Sequence, residues 1–287
     1  MSKERVKVAL VECGSYDDDE VNAAVDRALA LLGGLQSIVQ PCEKVLLKPN
    51  MLLGKEMSKA ATTHPSVFKA VARTIQLNGN PVMYGDSPGF GNPKRVARQV
   101  GIDAVAKELG IELAQFNTGK VVPYPLGKAS KRFEIAQGVL EADAIISISK
   151  MKTHQLTRLT GAVKNQLGCV YGFNKGMFHT KFPEGISFSR MLVDLNMLVK
   201  PRLFVMDGVV AMEGNGPSSG DSVKMNVILA STDPIALDRV FAELVGMDPS
   251  FVPTIGFGEE AGLGVGDLSK IEVLGDSVES LKNLQFR

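Results

Sequence analysis

The stretch DAIISISKMKTHQLTRLTGAVKNQLG, residues 143–168, joins an apolar run to a cluster of cationic side chains. The apolar run at residues 143–149 is typical of a buried strand, because a strand covered on both faces needs no alternation of polar and apolar residues. Threonine and glycine residues farther along add hydroxyl and backbone donors suited to a phosphate or carboxylate. The stretch therefore predicts an anion site at the end of a buried strand, with a solvated basic loop as the alternative. The potentially cationic residues are Lys150, Lys152, His154, Arg158 and Lys164.

The rest of the chain alternates between strand-like and helix-like stretches, which is typical of an α/β fold with mostly parallel sheets and flanking helices. Residues 111–136 instead predict short strands joined by glycine and proline turns. Strands are predicted at residues 6–11, 45–47, 81–84, 143–149, 203–206 and 223–230. Helices are predicted at residues 17–32, 65–77, 93–109 and 234–245.

The length of 287 residues is enough for about two domains, so we expect two lobes around a cleft. Residues 1–115 are assigned to the first α/β lobe and residues 116–287 to the second. An alternative is that the C-terminal segment packs back onto the first lobe. No linker rich in serine or proline marks the boundary, and its position is left open.

Charge and cysteine content exclude several classes of protein. The 32 Lys and Arg residues against 31 Asp and Glu leave a net charge of +1, so no global basic field favours nucleic acid or an anionic membrane as partner. The three cysteines include no CxxC pair, which excludes an ordinary zinc ribbon and argues against an iron–sulfur cluster in this chain alone. No window approaches about 18 uncharged apolar residues, so no membrane span is predicted. We expect a reduced, cytoplasmic protein.

Polar motifs lie where several predicted strands end. In open parallel sheets the ligand crevice lies beyond the carboxyl ends of the strands, so we expect these motifs to share one site. Asp86 and Ser87, in GDSPG, are expected to face this crevice, with Asp86 capping its own turn as an equal alternative. For Asp233, capping the helix that follows is the preferred interpretation. The motifs are at Lys48, Asp86, residues 150–154, Asp207 and Asp233.

Residues 207–220, DGVVAMEGNGPSSG, are rich in glycine and predict a flexible loop that carries Asp207 and Glu213. The segment contains no GxxxxGK[ST] motif, and no GxGxxG follows the first predicted strand. Nucleotide binding by either familiar route is therefore unsupported.

The three histidines each stand beside another unusual residue: His64 in TTHP, His154 in KMKTH and His179 in MFHTKFP. Imidazole transfers protons near neutral pH and ligates metals, so three histidines in one pocket would suit either role. Each one alone is more often a packed or capping residue. Their separation along the chain does not show whether they are close in space.

Seven motifs occur in order along the chain: LLKPN, TTHP, GDSPG, ADAIISISKMKTH, TGAVKNQLG, a DG…EGNGP…G loop and DPIALD. Together they resemble the bacterial and archaeal family known as domain of unknown function 362, and the resemblance covers nearly the whole chain, roughly residues 6–275. Many members of that family carry an added ferredoxin-like iron–sulfur module. This chain lacks the cysteines of such a module, so the resemblance does not by itself imply electron transfer here.

Residues 140–168 are similar, more remotely, to a segment of the nickel-pincer lactate racemases. In that family a lysine holds the cofactor, and histidines serve as a metal ligand and as proton-transfer groups. The resemblance matches Lys164 to the cofactor lysine and His154 to the histidine that precedes it. It matches His179 to the metal-ligating histidine and, more loosely, His64 to a histidine of the first domain. The chain departs from the racemases where their Gly-Gly pair before the lysine is replaced by Gly-Ala-Val.

These patterns lead us to expect an enzyme that binds a small anionic substrate, a carboxylate or a phosphate, in a cleft rich in lysine and histidine. The racemase resemblance implies proton or hydride transfer at a carbon next to a carboxylate, with a divalent metal, nickel or zinc, or an organometallic cofactor. The alternative is a non-catalytic protein that binds a metal or cofactor, or that serves iron–sulfur maturation or electron transfer. A homodimer and a redox partner protein are left open.

The candidate site residues fall into three groups. The catalytic candidates are His64, His154 and Lys152. The candidates for binding substrate or cofactor are Lys48, Asn50, Asp86, Ser87, Lys150, Lys164 and Asn165. The candidate metal ligands are His179, Asp207 and Glu213.

Overall fold

The computed structural model describes residues 5–172 and 174–287, within which strands and helices alternate along most of the chain. The strands are β1 (Val6–Glu12), β2 (Val45–Pro49), β3 (Val82–Tyr84), β4 (Glu112–Leu113), β5 (Gly119–Pro123), β6 (Arg132–Ala136), β7 (Ala144–His154), β8 (Arg158–Thr160), β9 (Leu203–Glu213), β10 (Asp221–Ser231) and β11 (Ile271–Gly275). The α-helices are α1 (Asp18–Leu31), α2 (Pro65–Leu77), α3 (Pro93–Gln99), α4 (Ile102–Glu108), α5 (Gln137–Leu140), α6 (Ala162–Asn165), α7 (Asn174–Lys181), α8 (Gly185–Val199), α9 (Pro234–Leu244), α10 (Pro253–Glu260) and α11 (Val278–Leu281).

In the described part of the chain one nine-stranded sheet has the order β11-β1-β10-β9-β7-β2-β3-β4, with β8 paired to β7. Neighbours in this order are parallel except at β10, which is antiparallel to both β1 and β9. The predicted α/β fold with a mostly parallel sheet is confirmed. Strands from before and after residue 115 belong to this one sheet, and β1 lies between β11 and β10; the division into two lobes stays a prediction.

Helices cover both faces of the sheet, because each strand sends alternate side chains to opposite faces. In β1, Val8 and Leu10 belong to a core shared with α8 and α9, whereas Ala9 and Val11 belong to a core shared with α1 and α2. Both faces of the sheet are therefore apolar. The polar side chains of the central strands collect at the carboxyl ends, where the site described below lies.

Two central strands extend beyond their predicted ends. β7 continues through Lys150 to His154, so the alternative of a solvated basic loop is wrong for these residues. β9 continues through Asp207 to Glu213, so the flexible loop predicted from Asp207 onward is wrong as far as Glu213. Lys150 lies opposite Asp207 in the parallel pair, and the two side chains form a buried ion pair with 2.9 Å between Nζ and Oδ2. The strands therefore continue past their apolar runs because opposite charges compensate each other across them.

The helix predicted over residues 93–109 is two helices, α3 and α4. Gly101 lies between them with a φ of 77°, a left-handed conformation that glycine adopts at little steric cost and that interrupts a helix. The short strands predicted over residues 111–136 are confirmed in β4, β5 and β6, although β4 joins the main sheet. Among the described residues, no helix is both long enough and apolar enough to cross a membrane.

Asp233 caps α9, as the sequence predicted. Its Oδ1 accepts hydrogen bonds from the backbone N–H groups of Ile235 and Ala236, at 2.8 and 2.9 Å. Its Oδ2 accepts a third from Val265 at 2.9 Å. One carboxylate thus joins the start of α9 to the segment before β11.

Replacing Asp233 by Ala is expected to lower the free energy of unfolding by about 1–2 kcal/mol, because α9 loses its cap. Asp233→Asn keeps an acceptor oxygen and is expected to lose less. Urea denaturation followed by circular dichroism measures both changes. Asp248→Ala is the control, since Asp248 caps only a short exposed turn. Equal losses in the two alanine variants would contradict this role for Asp233.

Candidate functional site

A cavity of about 260 Å³ opens beyond the carboxyl ends of β2, β3 and β7. This is the edge of a parallel sheet at which ligands are expected to bind. The volume lies near the lower end of the range for small-ligand cavities, roughly 300–1,000 Å³. The cavity therefore suits a small molecule. Its polar lining residues are Asn50, Asp86, Ser87, His154, Gln155, Lys164, Asn165 and His179.

A buried ion pair joins Asp86, which lines this cavity, to Lys48, which lies behind it. Nζ of Lys48, on β2, lies 2.9 Å from Oδ1 of Asp86, and both side chains are almost fully buried. Oδ1 accepts no hydrogen bond of good geometry, so charge rather than a directed hydrogen bond holds this contact. Oδ2 accepts the backbone N–H of Met51 at 2.9 Å. Asp86 therefore contacts the segment after β2 and does not cap its own turn.

Gly168 has no side chain, and the ion pair between Lys48 and Asp86 occupies the space that a Cβ would fill. A Cβ at this position would lie 1.7 Å from Oδ1 of Asp86 and 2.6 Å from Nζ of Lys48. Ser87 joins the same contact, since its backbone N–H donates to the carbonyl of Gly168 at 3.0 Å. The last glycine of TGAVKNQLG is thus required by the approach of a carboxylate from another part of the chain.

A chain of hydrogen bonds links Lys152 to the cavity through two asparagines. Nζ of Lys152 donates to Oδ1 of Asn50 at 3.1 Å and to the carbonyl of Ala61. Nδ2 of Asn50 in turn donates to Oδ1 of Asn165 at 3.1 Å. Burial, with the nearby charge of Lys164 as a second cause, holds the pKa of Lys152 well below its ordinary value. Lys152 is fully buried behind Asn50 and does not itself line the cavity.

Lys164 differs from these lysines because it lines the cavity without a partner. In the described residues its side chain forms neither an ion pair nor a hydrogen bond. Burial lowers the pKa of Lys164 to about 8; the carboxylate of Asp86 opposes this shift and the charge of Lys48 adds to it. A cation in this position is available to a ligand.

Asp238 holds the short helix that carries Lys164. Its carboxylate accepts hydrogen bonds from the backbone N–H groups of Ala162 and Val163, at 2.6 and 3.1 Å. Burial raises the pKa of Asp238 to about 7, although these hydrogen bonds oppose the rise. A Cβ at Gly161 would lie 1.9 Å from Oδ1 of Asp238. The sequence analysis did not predict this role of Asp238, because the two residues whose N–H groups it accepts lie 76 and 75 positions away along the chain.

A second polar cluster lies around Asp207. Nζ of Lys150 lies 2.9 Å from Oδ2 of Asp207 and donates to the hydroxyl of Tyr16 at 2.7 Å. The Tyr16 hydroxyl donates to Oδ1 of Asp207 at 2.9 Å, and the backbone N–H of His64 donates to Oδ2. The rings of Tyr16 and His64 are stacked with centroids 3.6 Å apart. None of these four residues lines the cavity, and no sequence motif marked Tyr16.

The three predicted metal ligands do not come together. Asp207 is engaged by Lys150, and Glu213 pairs with Arg287 at 3.0 Å, whereas His179 lines the cavity. In the described residues no three His, Cys, Asp or Glu side chains are grouped closely enough to hold a metal ion.

His154 and His179 both line the cavity and stack on the ring of Phe188, with centroids 6.4 and 4.7 Å from it. Burial lowers the pKa of His154 to about 2, and the nearby charges of Lys164, Lys152 and His179 act in the same direction. His154 is therefore uncharged near neutral pH. Of the three predicted catalytic residues, His154 alone is in the described cavity lining.

A family model described as "domain of unknown function", DUF362, matches residues 45–243, which include all seven motifs. The chain belongs to the DUF362 family. A thylakoid-associated protein of Synechocystis is 34% identical over 258 residues, 89% of this chain and 79% of that protein. The resemblance to this family predicted from the motifs is confirmed.

The structure of a lactate racemase apoprotein from Thermoanaerobacterium thermosaccharolyticum is similar to this DUF362 protein with a TM-score of 0.52 and 13% sequence identity. The similarity covers 82% of this chain, which spans little more than half of the racemase, 56%. At this identity the likeness shows a common fold, which confirms the second resemblance at the level of architecture.

The Lys48–Asp86 pair predicts a non-additive loss of stability. Lys48→Met and Asp86→Asn are each expected to lower the free energy of unfolding by about 3–5 kcal/mol, because each leaves one buried charge without its partner. The double variant is expected to lose less than the sum of the two single losses. Urea unfolding of the four proteins measures the coupling.

Lys270→Met serves as the control for this cycle, because it breaks an exposed ion pair with Asp267 and is expected to change stability little. Additive losses at Lys48 and Asp86 would show that the two charges do not depend on each other.

Proposed function

We propose that this DUF362 protein is an enzyme that binds a small oxyanion, a carboxylate or a phosphate, with Lys164 as the cation that contacts it. The observation that carries the proposal is the position of Lys164 in the cavity wall without an ion-pair partner among the described residues. The one carboxylate of the lining, Asp86, is already compensated by Lys48. In the part of the cavity wall that the structure describes, Lys164 is thus a cation without a compensating carboxylate, and an anionic ligand would balance its charge.

The chemistry of Lys164 supports proton transfer at a carbon next to the bound carboxylate. A general acid or base works best when its pKa lies near the working pH, and burial lowers the pKa of Lys164 to about 8. The fold likeness to a lactate racemase apoprotein supports a reaction of the racemase or isomerase class. In this proposal the ammonium form of Lys164 attracts the anion, whereas the neutral amine form takes the proton from the carbon, becomes an ammonium and returns a proton to the same carbon.

The residues fit only part of the metal site that the racemase resemblance implies. Lys164 and His179 line the cavity, whereas His64 lies outside it and Asp207 is engaged by Lys150. We therefore assign no step to a metal or an organometallic cofactor. The steps assigned here, which are anion binding and proton exchange, use side chains of the cavity.

Lys164→Met is expected to weaken the binding of L-lactate and of phosphate by at least about tenfold, since a charge-assisted contact in a partly buried site contributes roughly 1.5–3 kcal/mol. Isothermal titration calorimetry measures the affinities. Lys120→Met is the matched control, because Lys120 is an exposed lysine of β5 that does not line the cavity. Equal affinities in the two variants would remove Lys164 from the site.

Turnover is tested on the same proteins. L-lactate and other small 2-hydroxy acids are incubated with the wild type in D₂O, and loss of the proton at the second carbon is followed by NMR. The proposal expects exchange with the wild type and Lys120→Met and its loss with Lys164→Met. Binding without exchange would favour the non-catalytic alternative.

The affinity for anions is expected to depend on pH through Lys164. The ammonium is fully charged below its pKa of about 8 and loses its proton above it, so affinity should be constant below pH 7 and fall as the pH rises through 8. Sulfate is the probe, because its own charge does not change in this range. Lys164→Arg stays charged and should abolish the decline, whereas a decline that persists in this variant would assign it to another group.

A further inference from the structure

The hydrogen bonds of His154 determine which ring nitrogen carries the proton. Nδ1 accepts the backbone N–H of Leu156 at 3.1 Å and that of Thr157 at 3.3 Å. A ring nitrogen that accepts a hydrogen bond has its lone pair free and bears no hydrogen. The proton of the neutral imidazole is therefore on Nε2.

The ring has little freedom to reverse this arrangement. His154 ends β7 opposite Arg158, so the donors at Leu156 and Thr157 belong to the tight turn between β7 and β8. Thr157 fixes this turn further by donating its hydroxyl to the carbonyl of Leu159 at 2.8 Å. The His154 ring stacks on the Phe188 ring, and the angle between the two ring planes is 9°. A ring turned over by 180° would place the Cδ2–H group against these two backbone N–H groups, and both hydrogen bonds would be lost.

The opposite edge of the ring is left for the cavity. His154 lines the cavity together with Lys164, and among the side chains described, those of residues 5–172 and 177–287, its Nε2 has no hydrogen-bond partner. A donor that borders a cavity without a protein partner is available to an acceptor atom of a ligand. The site thus presents an uncharged N–H donor beside an ammonium.

We propose that His154 is a fixed, uncharged hydrogen-bond donor to an oxygen of the ligand and takes no proton during the reaction. The contact between His154 and a ligand rests on the anion binding proposed above. The protonation state of the ring does not depend on that proposal. The fixed-donor role replaces the proton-transfer role that the sequence suggested for His154. It also narrows the ligand class: beside the carboxylate held by Lys164, the ligand carries a second oxygen that accepts a hydrogen bond, as in a 2-oxo or 2-hydroxy acid.

The state of the ring is tested in the ligand-free protein. Long-range ¹H–¹⁵N correlation spectra of uniformly ¹⁵N-labelled protein distinguish protonated from unprotonated ring nitrogens. The chain has three histidines, so His64→Gln and His179→Gln assign the signals of His154 by elimination. We expect a protonated Nε2 and an unprotonated Nδ1 that do not change between pH 5 and pH 8. A proton on Nδ1, or titration of the ring in this range, would overturn the proposal.

The contact with the ligand is tested by comparing pyruvate with acetate, which lacks the second oxygen. A neutral hydrogen bond is worth roughly two- to tenfold in affinity, so the wild type is expected to prefer pyruvate by this factor. His154→Phe removes the donor and should abolish the preference, whereas His154→Gln offers an amide N–H and should restore part of it. A preference that persists in His154→Phe would refute the contact.

These two experiments separate the present inference from the proposed function. If no anion binds at all, the function proposed for Lys164 fails while the NMR result still decides the state of His154. If anions bind but the ring titrates near neutral pH, the function stands and the role of His154 as a fixed donor is wrong.

Discussion

The buried ion pair between Lys48 and Asp86 holds three separate segments in one arrangement. Lys48 belongs to β2, Asp86 follows β3, and Gly168 follows α6 and packs directly against the carboxylate. Both charges are almost fully buried, so each is tolerable only while the other is in place. The carboxyl ends of two neighbouring strands and the segment after Lys164 therefore depend on one contact. The shape of the cavity follows from this compensation of charge.

The lysines of this edge differ in how their charge is balanced. Lys150 is matched by Asp207, and Lys48 by Asp86. Lys152 has only amide and carbonyl oxygens as partners, and burial lowers its pKa accordingly. Lys164 lines the cavity and has no ion-pair partner among the described residues. These lysines look alike in the sequence. In the structure, however, Lys48, Lys150 and Lys152 are buried with protein partners, whereas Lys164 lines the cavity.

The cavity lies at the edge where parallel sheets bind ligands, and its side chains decide its chemistry; the likeness to a lactate racemase apoprotein concerns the fold alone. Here the ring of His154 is held by two backbone N–H groups, and His64 stacks on Tyr16 outside the cavity. The roles of these two histidines therefore follow from the contacts that they form in this protein. The family resemblance supplied the candidates, and the local geometry assigns different roles to them.

The sequence by itself determined the α/β architecture, the start of α9 at Asp233 and the gathering of Asp86 and Lys164 at one edge, because periodicity, capping and strand ends are properties of residues close along the chain. The sequence did not predict contacts between residues that lie far apart along the chain. The extension of β7 depends on Lys150 meeting Asp207, 57 positions away, and the Tyr16 contact with Lys150 spans 134 positions. Which lysine is compensated, which nitrogen of His154 is free and why Gly161 and Gly168 are glycines were decided only by the tertiary structure, since burial and charge compensation arise when separate strands are brought side by side.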